Sequence, residues 1–221
     1  MSRWERWLLP GILATIGVPF LSAGVVVRGM VPQTIADHAQ EVARLRISTA
    51  ATLKERGARV LLEGWVGDRT APSDQPPLIA YNEYHRVRSD GEWEWKNVRS
   101  YAPTLWVEIS GGEVEIAEGY TLQSASSTIE DGRDRRYEGF RVQDPVLVLG
   151  SLTVAGEQPL VSEAQIRFET KAAYLRSLNQ DQSVARGLGL LFLTLGSLLT
   201  TSAGVTGYLV WQGHITLLSR P

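Results

Sequence analysis

The chain contains no cysteine in 221 residues, which excludes disulfides, zinc sites built on thiolates and thiol nucleophiles. Histidine is scarce: His38, His85 and His214 lie far apart, and a long apolar run separates the last from the other two, so a shared metal site is not expected. Positive charge is not in surplus, with 22 Lys and Arg against 24 Asp and Glu, a formal charge of −2 and a pI near 6.0. The arginines are interspersed with acids instead of lining one stripe, so no nucleic-acid partner is expected. A glycine-rich phosphate loop, a nucleophile elbow and a metalloprotease helix are missing as well. No constellation of residues names a reaction, which argues against an enzyme, and neither cofactor nor metal is implied.

Charge is also missing locally, in two places. Gly187 to Gly213 holds 27 residues without Asp, Glu, Lys, Arg or His, and Trp7 to Val27 holds 21. At about 1.5 Å per helical residue, either run matches a hydrocarbon core of roughly 30 Å. Mean hydropathy is nevertheless −0.09, so the segment between them is distinctly polar. The expected fold class is an α+β membrane protein with two transmembrane helices bracketing one β-rich domain and its flanking helices. The expected layout is a tail at 1–6, a span at 7–27, the domain at 28–186, a second span at 187–211 and a tail at 212–221.

Arg3 and Arg6 precede the first run, as in a signal peptide or an uncleaved anchor. The run exceeds the ~7 to 15 residues of a signal h-region, and Ser22, Ala23 and Gly24 make a mediocre cleavage site, which favours retention. The same arginines, against Arg28 alone just after the run, place both termini in the cytoplasm and the domain outside it. In the second run Gly196, Thr200 and Gly204 recur every four residues, a seam that admits a close helix, and Gly17 and Gly24 offer one on the first. The two helices either pack on each other or self-associate into a homo-oligomer.

After Pro32, Thr34 and Asp37 have the spacing of a capping box, which predicts one or two helices over Thr34 to Arg56. Strand-like runs then cover Arg59 to Val66, Leu78 to Arg88, Trp93 to Ser100, Thr104 to Ile109, Glu113 to Ala117, Pro145 to Val154 and Leu160 to Phe168. The last places Leu160, Ala164, Ile166 and Phe168 on one face. Gly67 to Pro77 and the mixed-charge stretch Ser124 to Arg136 read as exposed loops. Lys171 to Gln182 reads as a helix running into the second span.

Asp90-Gly91 is a strong two-residue turn signal, and it pairs Arg88 with Trp93, Arg86 with Trp95, Tyr84 with Asn97 and His85 with Lys96. Tyr84, Arg86, Arg88, Trp93 and Trp95 then share one face, suited to a protein partner or to lipid headgroups if the tryptophans do not simply close the core. Gly111-Gly112 predicts a second hairpin with Ile109 opposite Val114 and Val107 opposite Ile116. Glu108 then opposes Glu115, and the two carboxylates either splay into solvent or hold a cation.

Three phrases carry a family resemblance: Val60-Leu-Leu-Glu-Gly-Trp-Val-Gly-Asp68, Gly139-Phe-Arg-Val-Gln-Asp-Pro-Val-Leu-Val-Leu-Gly150 and Phe168-Glu-Thr-Lys-Ala-Ala-Tyr-Leu-Arg176. In this order the chain from about Ala50 onward resembles the GIDE, or "beside a membrane", domain of the mitochondrial ubiquitin ligases and their prokaryotic relatives. The resemblance implies a domain held between two spans. In the ligases a RING finger binds zinc, but this sequence has no cysteine and only His214 beyond the second run, so ligase activity does not transfer. The expected function is an integral membrane protein that presents this domain for protein or lipid interaction, its protein partner not named by the residues. The alternative is an accessory subunit of a separately encoded ligase-like or other membrane enzyme.

Overall fold

The computed structural model describes residues 8–75, 77–154 and 158–212. Trp7, Gly213, His214 and the arginines of the N-terminal tail therefore lie outside the described residues. Two long apolar helices flank a β-rich domain in sequence, an α+β arrangement. In order come α1 (Leu8–Arg44), a 3₁₀ turn (Ala50–Thr52), β1 (Arg59–Val66), β2 (Ala80–Ser89), β3 (Glu92–Tyr101), β4 (Leu105–Ile109) and β5 (Gly112–Ile116). They are followed by β6 (Thr121–Leu122), β7 (Ser127–Asp131), β8 (Arg135–Phe140), β9 (Pro145–Val154), β10 (Leu160–Arg167) and α2 (Lys171–Trp211). The chain divides into a domain of Val42–Leu175 and a helical unit of Met1–Glu41 with Arg176–Pro221.

Strand alternation builds the domain's core. Val60, Leu62 and Val66 of β1 point inward with Leu105, Val107 and Ile109 of β4, and β9 contributes Val146, Val148 and Leu152. β1 pairs with β4 and β9, β4 with β5, and β9 with β10, all antiparallel. β10 then meets β5 in parallel, through Leu160 with Glu115 and Val161 with Ile116, so the five strands close. Numbered by chain order they run 1-2-3-5-4 and back to 1, a five-stranded Greek-key barrel of OB-like connectivity. Closure leaves these strands no free edge along the shared segments. Leu61 of β1 and Leu147 and Leu149 of β9 are buried on the opposite face too, which is why Val60 to Leu62 and Val146 to Leu149 are unbroken apolar runs. At Gly64 an added Cβ would fall 2.1 Å from the Glu108 carbonyl oxygen, so only glycine lets β1 coil this tightly past β4.

A four-stranded antiparallel sheet, ordered β3-β2-β8-β7, completes the domain. Its hairpins are insertions between barrel strands, β2–β3 after β1 and β7–β8 after β5. One face carries a small cluster of Leu78, Tyr81 and Tyr137 with Tyr101 and Ile129. The Tyr81 hydroxyl donates to Asp74 Oδ1 at 2.6 Å, and burial together with that carboxylate pushes its pKa well above the ordinary tyrosine value. Lys171 ties the domain's helical ends to the barrel. Its backbone N–H donates to Glu63 Oε2 at 3.0 Å, and its ammonium donates to the carbonyls of Ala43 at 3.1 Å and Leu45 at 2.5 Å. A carboxylate at a helix start and a cation on helix-end carbonyls are both favourable placements.

Four expectations need correction. The helix expected over Thr34 to Arg56 is the end of α1, which runs unbroken through Pro19 and Pro32 and stops at Arg44. Thr34 is no cap; its hydroxyl bonds the Met30 carbonyl at 3.1 Å, one turn back inside the helix. Proline removes one intrahelical bond and need not end a helix that other contacts support. Secondly, Ser124 to Arg136 is not a loop, since β7 and the start of β8 lie in it. Glu130 faces Arg136 and Asp131 faces Arg135, so the mixed charges are cross-strand partners. Thirdly, the turn after β4 is Ser110-Gly111, which sets Ile109 opposite Gly112, Val107 opposite Val114 and Glu108 opposite Glu113. The shift is by two residues, so the inward face is unchanged. Lastly, the clean alternation expected in β10 breaks at a bulge between Ser162 and Gln165, and Val161, not Leu160, joins Ala164 and Ile166 in the core. Within Gly67 to Pro77, Thr70 and Ser73 are buried; Thr70 Oγ1 accepts the Trp106 N–H at 3.0 Å.

Candidate interaction face and helix seam

Asp90 and Gly91 have φ of 49° and 91°, the left-handed pair that a type I′ turn demands. This turn sets Arg88 opposite Trp93, Arg86 opposite Trp95 and Tyr84 opposite Asn97, and it puts His85 opposite Lys96 on the other face. Tyr84, Arg86, Arg88, Trp93 and Trp95 therefore share one face of the four-stranded sheet. Trp93 is 57% exposed and stands outside the domain's hydrophobic clusters, so it does not close a core. Trp95 is half-buried.

The covering groups are cations. The Arg86 guanidinium lies 5.2 Å from the Trp93 ring centroid. Arg136, brought in by β8 opposite Tyr84, sits 5.2 Å from the Tyr84 ring and 4.8 Å from the Trp95 ring. Its Nε is 3.0 Å from Glu138 Oε1, although the N–H does not point at that oxygen. Arginine–aromatic contacts of this kind contribute roughly 0.5 to 1 kcal/mol each at exposed sites. Between the hairpins an open cleft of about 590 Å³ is lined by Arg86, Trp93, Trp95, Glu130, Gly132 and Arg133. Arg136, Glu130 and Arg133 belong to the mixed-charge stretch whose composition predicts a loop. The signal that could have exposed them is the symmetry of Glu130-Asp131 and Arg135-Arg136 about a short polar turn.

On the barrel, the Glu113 carboxylate of β5 is held by a guanidinium. Arg69 Nη1 pairs with Glu113 Oε2 at 2.9 Å while its guanidinium stacks 3.9 Å from the Trp106 ring centroid. Among the described residues no cluster of three or more His, Asp or Glu side chains could hold a metal ion.

In the helical unit, α1 and α2 run antiparallel against each other. A Cβ on Gly17 would lie 2.7 Å from Thr200 Oγ1, one on Gly196 2.6 Å from the Leu21 nitrogen, and one on Gly24 2.7 Å from the Leu193 nitrogen. Phe20 and Phe192 meet edge-to-face at 5.7 Å beside this line, and Gln182 Nε2 donates to the Pro32 carbonyl at 3.2 Å. Gly17, Gly24, Gly196 and Thr200 thus lie where the two backbones approach. Gly204 does not: a Cβ there would meet nothing within 4 Å, and the buried residue of that turn is Ala203. The seven-residue spacing Gly189, Gly196, Ala203, Val210 explains the difference, because a packed pair follows a heptad and not a strict four-residue step.

Seen with this geometry, the chain matches no family model, no curated protein and no solved structure. The described residues form an OB-like barrel with an added Trp- and Arg-faced sheet, flanked in sequence by two long apolar helices.

Proposed function

We propose that this chain is an integral membrane protein whose two helices cross the bilayer as a hairpin and present a GIDE-like domain for contact with a protein or with lipid headgroups. The observation that supports insertion is the arrangement of side chains in the helical unit. Small residues fill the seam, while Leu9, Ile12, Val25, Leu191, Leu195 and Leu198 point outward and are exposed. A hairpin built for water has the reverse pattern, and only 17% of each helix's most apolar window is buried. A core helix of a soluble protein would be mostly covered. Arg3 and Arg6 against Arg28 support cytoplasmic termini and a domain on the far side.

The Tyr84, Arg86, Arg88, Trp93, Trp95 face is the contact surface in this reading, extended by Arg136. Exposed tryptophan flanked by arginine is the composition that dominates interface energetics. In this reading the domain acts by binding through that face. The test is photo-crosslinking of the full chain in intact membranes, from photoreactive residues at Trp93 and Trp95 with Arg167 as control. Protein adducts from the two tryptophan sites alone are expected. Lipid adducts would assign the face to the bilayer surface, and equal labelling from all three sites, or none, would overturn the assignment.

A further inference from the structure

β3 forms one edge of the four-stranded sheet, is ten residues long, and pairs with no other strand on its outer side among the described residues. Edges of this length are ordinarily covered or blunted. The Asp90-Gly91 turn dictates which backbone groups are left over. Ser89 and Glu92 flank the loop as a hydrogen-bonded pair, and bonded and non-bonded pairs alternate from there. Glu92, Glu94 and Lys96 therefore spend their N–H and C=O on β2, whereas Trp93, Trp95 and Asn97 turn theirs outward. The phase is visible on β2, where the N–H of Arg86, opposite Trp95, goes the other way to the Asp134 carbonyl at 2.9 Å. Beyond Asn97 the register shifts by a bulge at Val98, which ends the regular edge.

We propose that this edge pairs antiparallel with the same edge of a second copy of the chain, about a two-fold axis through Trp95. Strand parity and charge select the register. An axis between two residues would oppose side chains from different sheet faces. An axis through Glu94 sets glutamate against glutamate, one through Lys96 sets lysine against lysine, and one through Trp93 sets Glu92 against Glu94. An axis through Asn97 runs into the bulge. With Trp95 on the axis, Trp93 meets Asn97 of the second copy and Trp95 meets Trp95, so the three outward-facing residues of each strand all exchange hydrogen bonds. Glu94 falls opposite Lys96 of the second copy, twice, at the closer non-bonded positions. Two sheets become one of eight strands, and the two Trp- and Arg-bearing faces become continuous. The pairing stands on the strand edge alone and does not depend on what that face binds.

The cysteine-free sequence makes the test direct. Chains carrying Glu94→Cys and Lys96→Cys, expressed together at full length, are expected to form a mixed disulfide at least about tenfold faster than Glu94→Cys alone, whose two thiols sit diagonally and out of reach. Ile129→Cys on the opposite edge serves as the background rate. Glu94→Lys should lower the dimer fraction about tenfold, and adding Lys96→Glu should restore it. A native chain that is monomeric by mass measurement overturns the proposal. So does a dimer that survives Glu94→Lys and gives no 94–96 disulfide, which would place the contact elsewhere, or an edge found occupied by a segment of another protein.

Discussion

Tyr120 sits in the barrel interior, 5% exposed, and its hydroxyl has no hydrogen-bond partner among the described residues. A buried hydroxyl without a partner costs about 1 to 3 kcal/mol, so Tyr120→Phe should stabilise the barrel by about 1 kcal/mol. The same burial, with Tyr101 beside it, raises the Tyr120 pKa far above its ordinary value. The sign of the pH effect follows. In the unfolded chain tyrosine loses its proton near pH 10, whereas folded Tyr120 keeps it, so the unfolded state binds fewer protons and stability falls as pH rises past ~10. Each such group steepens the loss by at most about 1.4 kcal/mol per pH unit. Tyr174, also raised chiefly by burial, adds in the same direction. Thermal unfolding of the full chain in detergent, followed between pH 9 and about 11.5, checks this. Tyr120→Phe should flatten the decline, and a variant less stable than the parent by more than about 1 kcal/mol would show that the hydroxyl is satisfied after all.

The helix pair gives the corresponding argument for elements. Gly196→Leu would drive a side chain into the α1 backbone at Leu21, and overpacking of this sort costs about 1 to 3 kcal/mol. Gly204→Leu points into open space. Crosslinking between cysteines placed at Phe20 and Phe192 should therefore fall sharply in Gly17→Leu and Gly196→Leu and stay at the parent level in Gly204→Leu. If Gly204→Leu alone changed oligomeric size, that glycine would belong to a contact between copies. Sequence could foretell the seam's small residues but not its phase, because a four-residue step and a heptad coincide for only two turns. The strands show the same division. The Asp-Gly turn is satisfied in one way, so the β2–β3 register was legible to the residue. Ser110-Gly111-Gly112 offers two adjacent glycines and nothing local says which enters the turn; in the fold Ser110 and Gly111 form it and Gly112 opens β5. β7 and β8 escaped because alternating charge looks like a solvated loop until the partner strand is known. The parallel closure of β5 on β10 joins segments some 45 residues apart and leaves no local mark at all.

At the scale of the whole molecule, the question is which solvent surrounds the helical unit. Leu198 is 66% exposed and stands near the middle of the longer apolar run. On a helix in water, lysine in its place would be harmless or would improve solubility, since exposed leucine contributes little there. In a bilayer the same change places an ammonium at the centre of the hydrocarbon, at a cost of about 2.5 to 3.5 kcal/mol, enough to shift insertion by a factor of about a hundred. Leu198→Lys should accordingly leave the second helix uninserted in most chains, read as a change in the side on which a C-terminal tag is reached in sealed membranes, while α1 still holds the chain in the carbonate-resistant fraction. Thr200→Lys, on the packed side, provides the contrast: it should fail in either solvent, because Thr200 lies against Gly17. A Leu198→Lys chain recovered in full and properly folded from the soluble fraction, with the parent chain there too, would mean that the outward leucines meet protein and not lipid. The domain would then be one part of a larger assembly instead of a membrane-held display.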